Sequence, residues 1–348
     1  MRGTATAQVT LLKYGLLAAY IANLGDDIQT LAALQFYPRV DVIIHREYLD
    51  KVDCEDDVKV VMNGWFMHRP EAWPPSSKIL PHFTSMHITP SAAPMMLNSK
   101  GVEYFRRYEP IGARDKFTER LLRSSGIKSY FSGCLTLTLD YRFGCLRKHG
   151  DGPILLVDLP KHILHILRKR FRDERFVGIT QNMLNRNPFA NPIDRCLLKA
   201  LNLVTRALRG VLRTERCVYV DLARRYWSFK MLRHCFKIQL LERLRLALER
   251  LYLLSNARCV ITARLHIALP SIALNVPTIF IPASRGAMIR VSGLLKFMTY
   301  YTPEKFVKVL ESCDIEKICQ NAYPRNIDEL LILKKELIKS VNHFLKRG

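Results

Sequence analysis

The sequence has no Cys-x-x-Cys pair and no cluster of cysteine and histidine at metal-ligand spacing, although it holds nine cysteines. That absence excludes a zinc module and a disulfide framework. The odd, scattered set reads as reduced, mostly buried thiols in a cytosol-like compartment. An Asn-x-Ser/Thr acceptor is lacking too, which fits the same compartment. The apolar stretch LLKYGLLAAYIA, residues 11 to 22, falls short of the ~20 residues that cross a bilayer. It runs into NLGDD, polar turn chemistry without a small-x-small cleavage pattern, so neither export nor a membrane span is expected from it and a cytoplasmic location is predicted. Solenoid-period repeats and low-complexity tracts are absent as well.

Acidic residues are few: 31 against 54 Lys and Arg, a net charge of +23. The excess is uneven. Residues 1 to 150 carry 19 Lys and Arg against 15 Asp and Glu, whereas residues 151 to 348 carry 35 against 16. A basic second half invites an anionic partner: nucleic acid, acidic lipid or a phosphorylated substrate. Nucleic acid is the weakest of these, because aromatics interleave with cations only in RRYWSFK, Arg224 to Lys230, where a binding groove needs them along its length. At 348 residues the chain exceeds one usual core, so two domains are expected.

The pattern that is present alternates strands and helices. Predicted strands are QVTLLKYG, VDVIIHR, VKVVMNGW, KILPHFTSMHIT, PIGAR and KSYFSG, with helices over DDIQTLAALQFYP, GVEYFRRYE and residues 115 to 124. After the turn chemistry of HGDGP, His149 to Pro153, the pattern restarts with PILLVDLP, a basic helix over 161 to 172, RFVGITQN, and finally a βαβ unit and a C-terminal amphipathic helix. This spacing indicates parallel α/β sheets. An N-terminal α/β domain over 1 to 150 and a basic C-terminal α/β domain over 151 to 348 are expected. The latter carries a basic helical insertion at about 195 to 250, with Leu197, Leu201, Val204, Leu208 and Val211 on one helical face and Arg195, Lys199, Arg206, Arg209 and Arg213 on another. A helix of this kind can lie on an anionic membrane surface. Packing on the domain with solvated cations is the plainer reading.

The βαβ unit, CVITARLHIALPSIALNVPTIFIP from Cys259 to Pro282, sets Arg264 and His266 at the carboxyl end of its first strand, where open α/β sheets place ligands and helix amides face anions. Arginine supplies a planar fork for carboxylate or phosphate and histidine a proton carrier near neutral pH. Electrostatic capping at a domain surface would use the same pair.

VITARLHIALPSIALNVPTIFI resembles the signature of the polysaccharide pyruvyl transferase family, in which Arg-Leu-His closes a strand. YGLLAAYIANLGDDIQTLAALQFYP, VVMNGWFMHRPEAWPP, the Gly-x-Arg-Asp block around IGARDKF, and SGLLKFMTYYT are similar to further family segments, in the same order. The resemblance implies two Rossmann-like domains facing across a cleft, as in GT-B glycosyltransferases, with the C-terminal helix packing back. It implies transfer of the enolpyruvyl group of phosphoenolpyruvate onto two hydroxyls of a sugar or lipid-linked glycan as a ketal. That chemistry needs cations for a phosphate and a carboxylate, and an acid and a base, but no metal or cofactor.

By matched position, Arg264 and His266 are the catalytic candidates, and Arg264 and Arg114 bind the donor. Asp115 reads equally as a helix cap. Many relatives carry an arginine where this chain reads LLVDLPKH, so the second donor clamp is sought in Lys161 or His162, or in Arg285 or Arg290. On the acceptor side stand Asn23, Gly25 and Asp26 at the first βα turn, His68 and His87 as candidate bases, and Trp65 and Trp73 as stacking or core aromatics. A glycosyltransferase using a nucleotide-sugar is the first rival, and a non-catalytic homologue binding anionic partners the second.

Overall fold

The computed structural model describes residues 12–19, 21–146, 151–182, 212–216 and 240–346, the side chains of 212–216, 241 and 285 excepted. They build two parallel sheets. The larger contains β1 (Lys13–Ala18), β2 (Val40–His45), β3 (Val58–Phe66), β4 (Ile79–Ile88), β5 (Ile111–Ala113), β6 (Ser129–Phe131) and β9 (Leu212–Arg216), in the order β6-β5-β4-β3-β1-β2-β9. The smaller contains β7 (Ile154–Val157), β8 (Phe176–Ile179), β10 (Cys259–Thr262), β11 (Thr278–Phe280) and β12 (Thr299–Tyr300), in the order β12-β11-β10-β7-β8. The helices that matter below are α1 (Leu24–Leu34), α2 (Ser99–Arg107), α3 (Lys116–Ser124), α4 (Lys161–Arg170), α5 (Leu240–Ser255), α6 (Leu265–Ala273) and α7 (Ile327–Lys346).

The apolar run near the N-terminus is an inner strand. β1 lies between β3 and β2, and Leu16, Leu17 and Ala18 are buried, so its apolar residues do not alternate with polar ones. It begins at Lys13, later than the QVTLLKYG expectation. α1 starts where Asn23 caps it, its side chain accepting from Gly25 N at 3.1 Å. Every residue of α1 is buried, because the helix is wedged between the two sheets. One core runs through both sheets: Leu16, Ile28 and Leu31 pack with Leu155, Val157, Leu248, Val260 and Ile267. Along this seam the two sheets share apolar side chains.

A buried ion pair fixes α1 against α5. Arg243 donates from Nε and Nη2 to the Asp27 carboxylate at 2.8 Å each, and to the carbonyls of Ala19 and Ile21. Burial lifts the Asp27 carboxyl to about 7 against the pull of Arg243. Asp27→Ala leaves Arg243 buried without its carboxylate and is expected to cost about 3–5 kcal/mol, read as a lower urea midpoint.

One expectation needs correction. Leu212–Arg216 is a strand, not part of a basic helix, and it extends the N-terminal sheet by pairing with β2. The proposed faces over 195 to 211 lie outside the described residues. The helix α7, grouped with the C-terminal half by sequence, lies against the first sheet: Tyr14 and Lys59 donate to the carbonyls of Leu345 and Phe344, and Ser340 meets His82 Nε2 at 2.8 Å. Among the described residues no helix is long and apolar enough to cross a membrane.

Candidate active site

The carboxyl ends of β3, β4 and β5 meet the β10–α6 turn. His266 sits in the first turn of α6, with φ −83° and ψ 25°, and is 5% exposed. These angles are not helical, so α6 is kinked at His266, and Arg264 is an N-cap that makes no side-chain cap bond. The His266 carbonyl accepts from Gln181 Nε2 at 3.0 Å. Its Nε2 has no hydrogen-bond partner among the described residues. Burial, then the charges of Arg114, Arg290 and Arg46, hold its pKa well below the usual histidine range, so the ring is neutral. Gly25 is what lets α1 approach: a Cβ there would fall 3.1 Å from His266 Cβ and 3.2 Å from its Nδ1. The requirement is space rather than an unusual turn conformation.

Arg114 follows β5 and is wholly buried. Its backbone N–H donates to Met86 O at 2.8 Å, yet none of its three guanidinium nitrogens has a hydrogen-bond partner among the described residues. The nearest carboxylate contact is Asp115 Oδ2, 3.7 Å from Nε. Asp115 does two jobs at once. Its Oδ1 accepts from Thr118 N at 2.9 Å, capping α3, and its Oδ2 lies 2.6 Å from His87 Nδ1. His87, at 0% exposure, is pushed down to about 4 by burial and then by Arg114, against the pull of Asp115. Its Nε2 is unpartnered among the described residues. Arg114 is thus the common charge to which His87 and His266 both respond.

The other donor candidates disperse. Arg264 is half-exposed and its Nε is held by Asp158 Oδ2 at 2.8 Å. Asp158, at φ +49°, also accepts from Gln181 N at 3.1 Å. Arg264 and His266 therefore face different surroundings. Solvent reaches Arg290, yet desolvation and then Arg114 lower its pKa, with Asp26, Asp115 and Arg264 also acting on it. Lys161 opens α4 on an exposed surface groove shared with His165, Arg168 and Arg172; His162 beside it is exposed.

On the acceptor side, the polar atoms of the first turn are engaged. Asp26 is buried, accepts from Asn23 Nδ2 at 3.1 Å, and pairs with Arg46 Nη1 at 2.7 Å. Arg46, absent from the sequence reading, is buried beneath Trp65, its guanidinium carbon 5.4 Å from the ring centroid. Trp65 is half-buried and its ring lies 4.3 Å from that of exposed His68. Trp73 is core, 5% exposed among Phe66, Phe83, Tyr104 and Phe105.

Residues 23–285, three quarters of the chain and the whole of this cluster but for Arg290, match the profile of the polysaccharide pyruvyl transferases. The chain belongs to the polysaccharide pyruvyl transferase family. No curated protein sequence matches it. Two solved structures of a wall teichoic acid polymerase TagF variant soaked with CDPG overlay on it with TM-scores of 0.35 and 0.37, at 11% and 12% identity, covering 96% of this chain and 90% of theirs. Overlays this loose carry no argument, and the two parallel sheets stand on the coordinates alone.

For this pyruvyl transferase family member the arrangement offers a buried guanidinium without a hydrogen-bond partner among the described residues, its carboxylate contact a loose 3.7 Å, flanked by two neutral imidazoles that each keep a ring nitrogen unpartnered among those residues. Among the described residues no group of His, Cys, Asp and Glu is placed to hold a metal. Gly25→Ala is expected to push His266 by a few tenths of an ångström and to lower kcat/KM about tenfold with an unchanged fold, because catalysis tolerates little displacement of a reacting group. Steady-state kinetics beside circular dichroism checks it.

Proposed function

We propose that the protein transfers the enolpyruvyl group of phosphoenolpyruvate to a sugar of a polysaccharide or glycolipid as a cyclic ketal, in the cytoplasm, with release of inorganic phosphate. The observation that carries this reading is Arg114, a buried guanidinium with three unpartnered nitrogens beside His87 and His266. A buried guanidinium whose hydrogen bonds are unmade is costly, and a ligand of opposite sign completes it beyond what the 3.7 Å contact with Asp115 supplies. Its planar fork suits the donor's carboxylate or phosphate.

In this reading Arg114 grips the donor, with Arg290 and Arg264 contributing charge from the exposed side and Lys161 a more distant one. The methylene carbon of the enol takes a proton from water, and a sugar hydroxyl attacks the adjacent carbon as it gives its own to His87, which returns it to water. The carbon–oxygen bond to phosphate then breaks and a second hydroxyl closes the ketal. His87 is the base, because Asp115 fixes the proton on Nδ1 and leaves the Nε2 lone pair free. His266 faces the leaving phosphate, whose negative charge raises the imidazole pKa and makes it a proton donor. Trp65 and His68 form a stacking surface for the acceptor, while Asn23, Gly25 and Asp26 set α1 against His266. No cofactor is required.

The test is phosphate release from phosphoenolpyruvate with a panel of glycosides, comparing wild type with His266→Ala. Turnover by the wild type and its loss in a folded variant are expected. Equal turnover in both sinks the assignment of His266, and no turnover with any glycoside sinks the reaction.

A further inference from the structure

A cavity of about 540 Å³ opens between Thr84 of β4, Lys116 at the start of α3, the carboxyl end of β6, Lys296 and α7. Nothing in the reaction outlined above uses it. Its wall carries hydroxyl groups from Thr84, Tyr130, Ser132 and Ser340, with Phe131 and Leu333 as apolar faces. Thr84 is 0% exposed, and its Oγ1 has no hydrogen-bond partner among the described residues. The ring of Phe131 is held from the other lobe: Gly293, at φ +90°, lies so close that a Cβ there would come within 2.9 Å of Phe131 Cε2 and of Lys116 Cγ. The cavity adjoins the active site through the chain itself, since Lys116 follows Asp115 and Ser132 Oγ donates to Ala113 O, next to Arg114.

The charges at the cavity decide the ligand class. Lys116 stands 5.1 Å over Phe131 but is answered by Glu119 at 2.8 Å, and Lys296, 5.8 Å from the same ring, is answered by Glu329. Glu336 adds a further acid. No cation is left over for a phosphate, in contrast with Arg114. The Phe131 face, several hydroxyls and the acceptor oxygens of Glu336, with no surplus cation among the lining residues, match a neutral polyhydroxyl compound, and clefts of about 300–1,000 Å³ hold ligands of that size. We infer that this cavity is a carbohydrate subsite, holding a sugar unit of the acceptor adjacent to the one modified at His87. The inference rests on the glycan acceptor of the proposed reaction.

The experiment is saturation-transfer NMR on the full chain with methyl β-glucoside, methyl β-galactoside and methyl α-mannoside. Wild type is compared with Thr84→Val, Tyr130→Ala and Arg114→Met, and thermal shifts with phosphoenolpyruvate are run in parallel. Thr84→Val keeps the side-chain shape and removes a hydroxyl without a hydrogen-bond partner among the described residues, so folding is preserved. Transfer to at least one glycoside is expected, weakened about tenfold by Thr84→Val and by Tyr130→Ala and retained in Arg114→Met. No transfer to any of the three, or equal transfer in wild type and both cavity variants, overturns the subsite. The donor reading fails separately, if phosphoenolpyruvate shifts neither wild type nor Thr84→Val.

Discussion

Arg114→Met is expected to lower the melting temperature by several degrees and to lower kcat/KM for phosphoenolpyruvate by about 10²–10⁴-fold. The two effects have one cause. The guanidinium is wholly buried, and in the free protein its Nε only approaches Asp115, at 3.7 Å. Asp115 is buried too, and removing one partner of a buried ion pair costs about 3–5 kcal/mol because the other charge is left uncompensated. Asp115 loses that cation but keeps Thr118 N and His87 as partners. With donor bound, the same guanidinium makes charge-assisted bonds worth about 1.5–3 kcal/mol each, and two of them account for the loss of turnover. Arg114→Lys should fall between, since an ammonium keeps the charge but not the fork. Scanning calorimetry and initial rates on the same preparations check this. A fall in melting temperature with turnover intact would make Arg114 a structural residue and remove the anion site.

Much of the architecture was legible because period and punctuation agree. The helix after Asn23-Leu-Gly-Asp, the strand VDVII and the C-terminal amphipathic helix appear where apolar spacing and caps put them. β1 was displaced by several residues because a strand buried on both faces has no alternation to set its limits. LRTER reads as neither a buried strand nor a half-buried one, so the edge strand β9 escaped notice. The site was half legible. Arg264 and His266 stand at a strand end as expected, but their divergence depends on Asp158, a residue from another βα turn whose partner no local pattern reveals. Arginine is expected outside a fold, so the sequence marked Arg114 as a motif residue and not as a buried one. Arg46, buried with Asp26, was missed for the same reason. The one available signal was His45-Arg46-Glu47 directly after an apolar strand.

His87→Gln is expected to lower kcat/KM by about 10²–10⁴-fold and to remove its acid limb. In the free protein His87 titrates near 4, so above that pH the ring is neutral and able to accept a proton. The wild-type kcat/KM should therefore rise with pH through about 4 and be flat up to neutrality, because this parameter reports the free enzyme. The limb in kcat should lie at higher pH, since a bound dianion offsets the field of Arg114 and favours the protonated ring. Stability carries the same signature. An unfolded histidine binds its proton near 6.5 and folded His87 only near 4, so below 6.5 the unfolded chain gains protons that the folded one refuses. Stability is then lost as the pH falls across that window, on the order of 3 kcal/mol for one such group, and His87→Gln should lessen that acid sensitivity in urea titrations. Asp115→Asn separates position from charge: the cap to Thr118 survives through the amide oxygen, but the Nδ1 tautomer is no longer fixed, so activity should fall with little change in the urea midpoint at neutral pH. A wild-type kcat/KM limb that persists unchanged in His87→Gln would assign the base to another residue, and His266, the remaining neutral imidazole with a free nitrogen beside Arg114, would be the one to test.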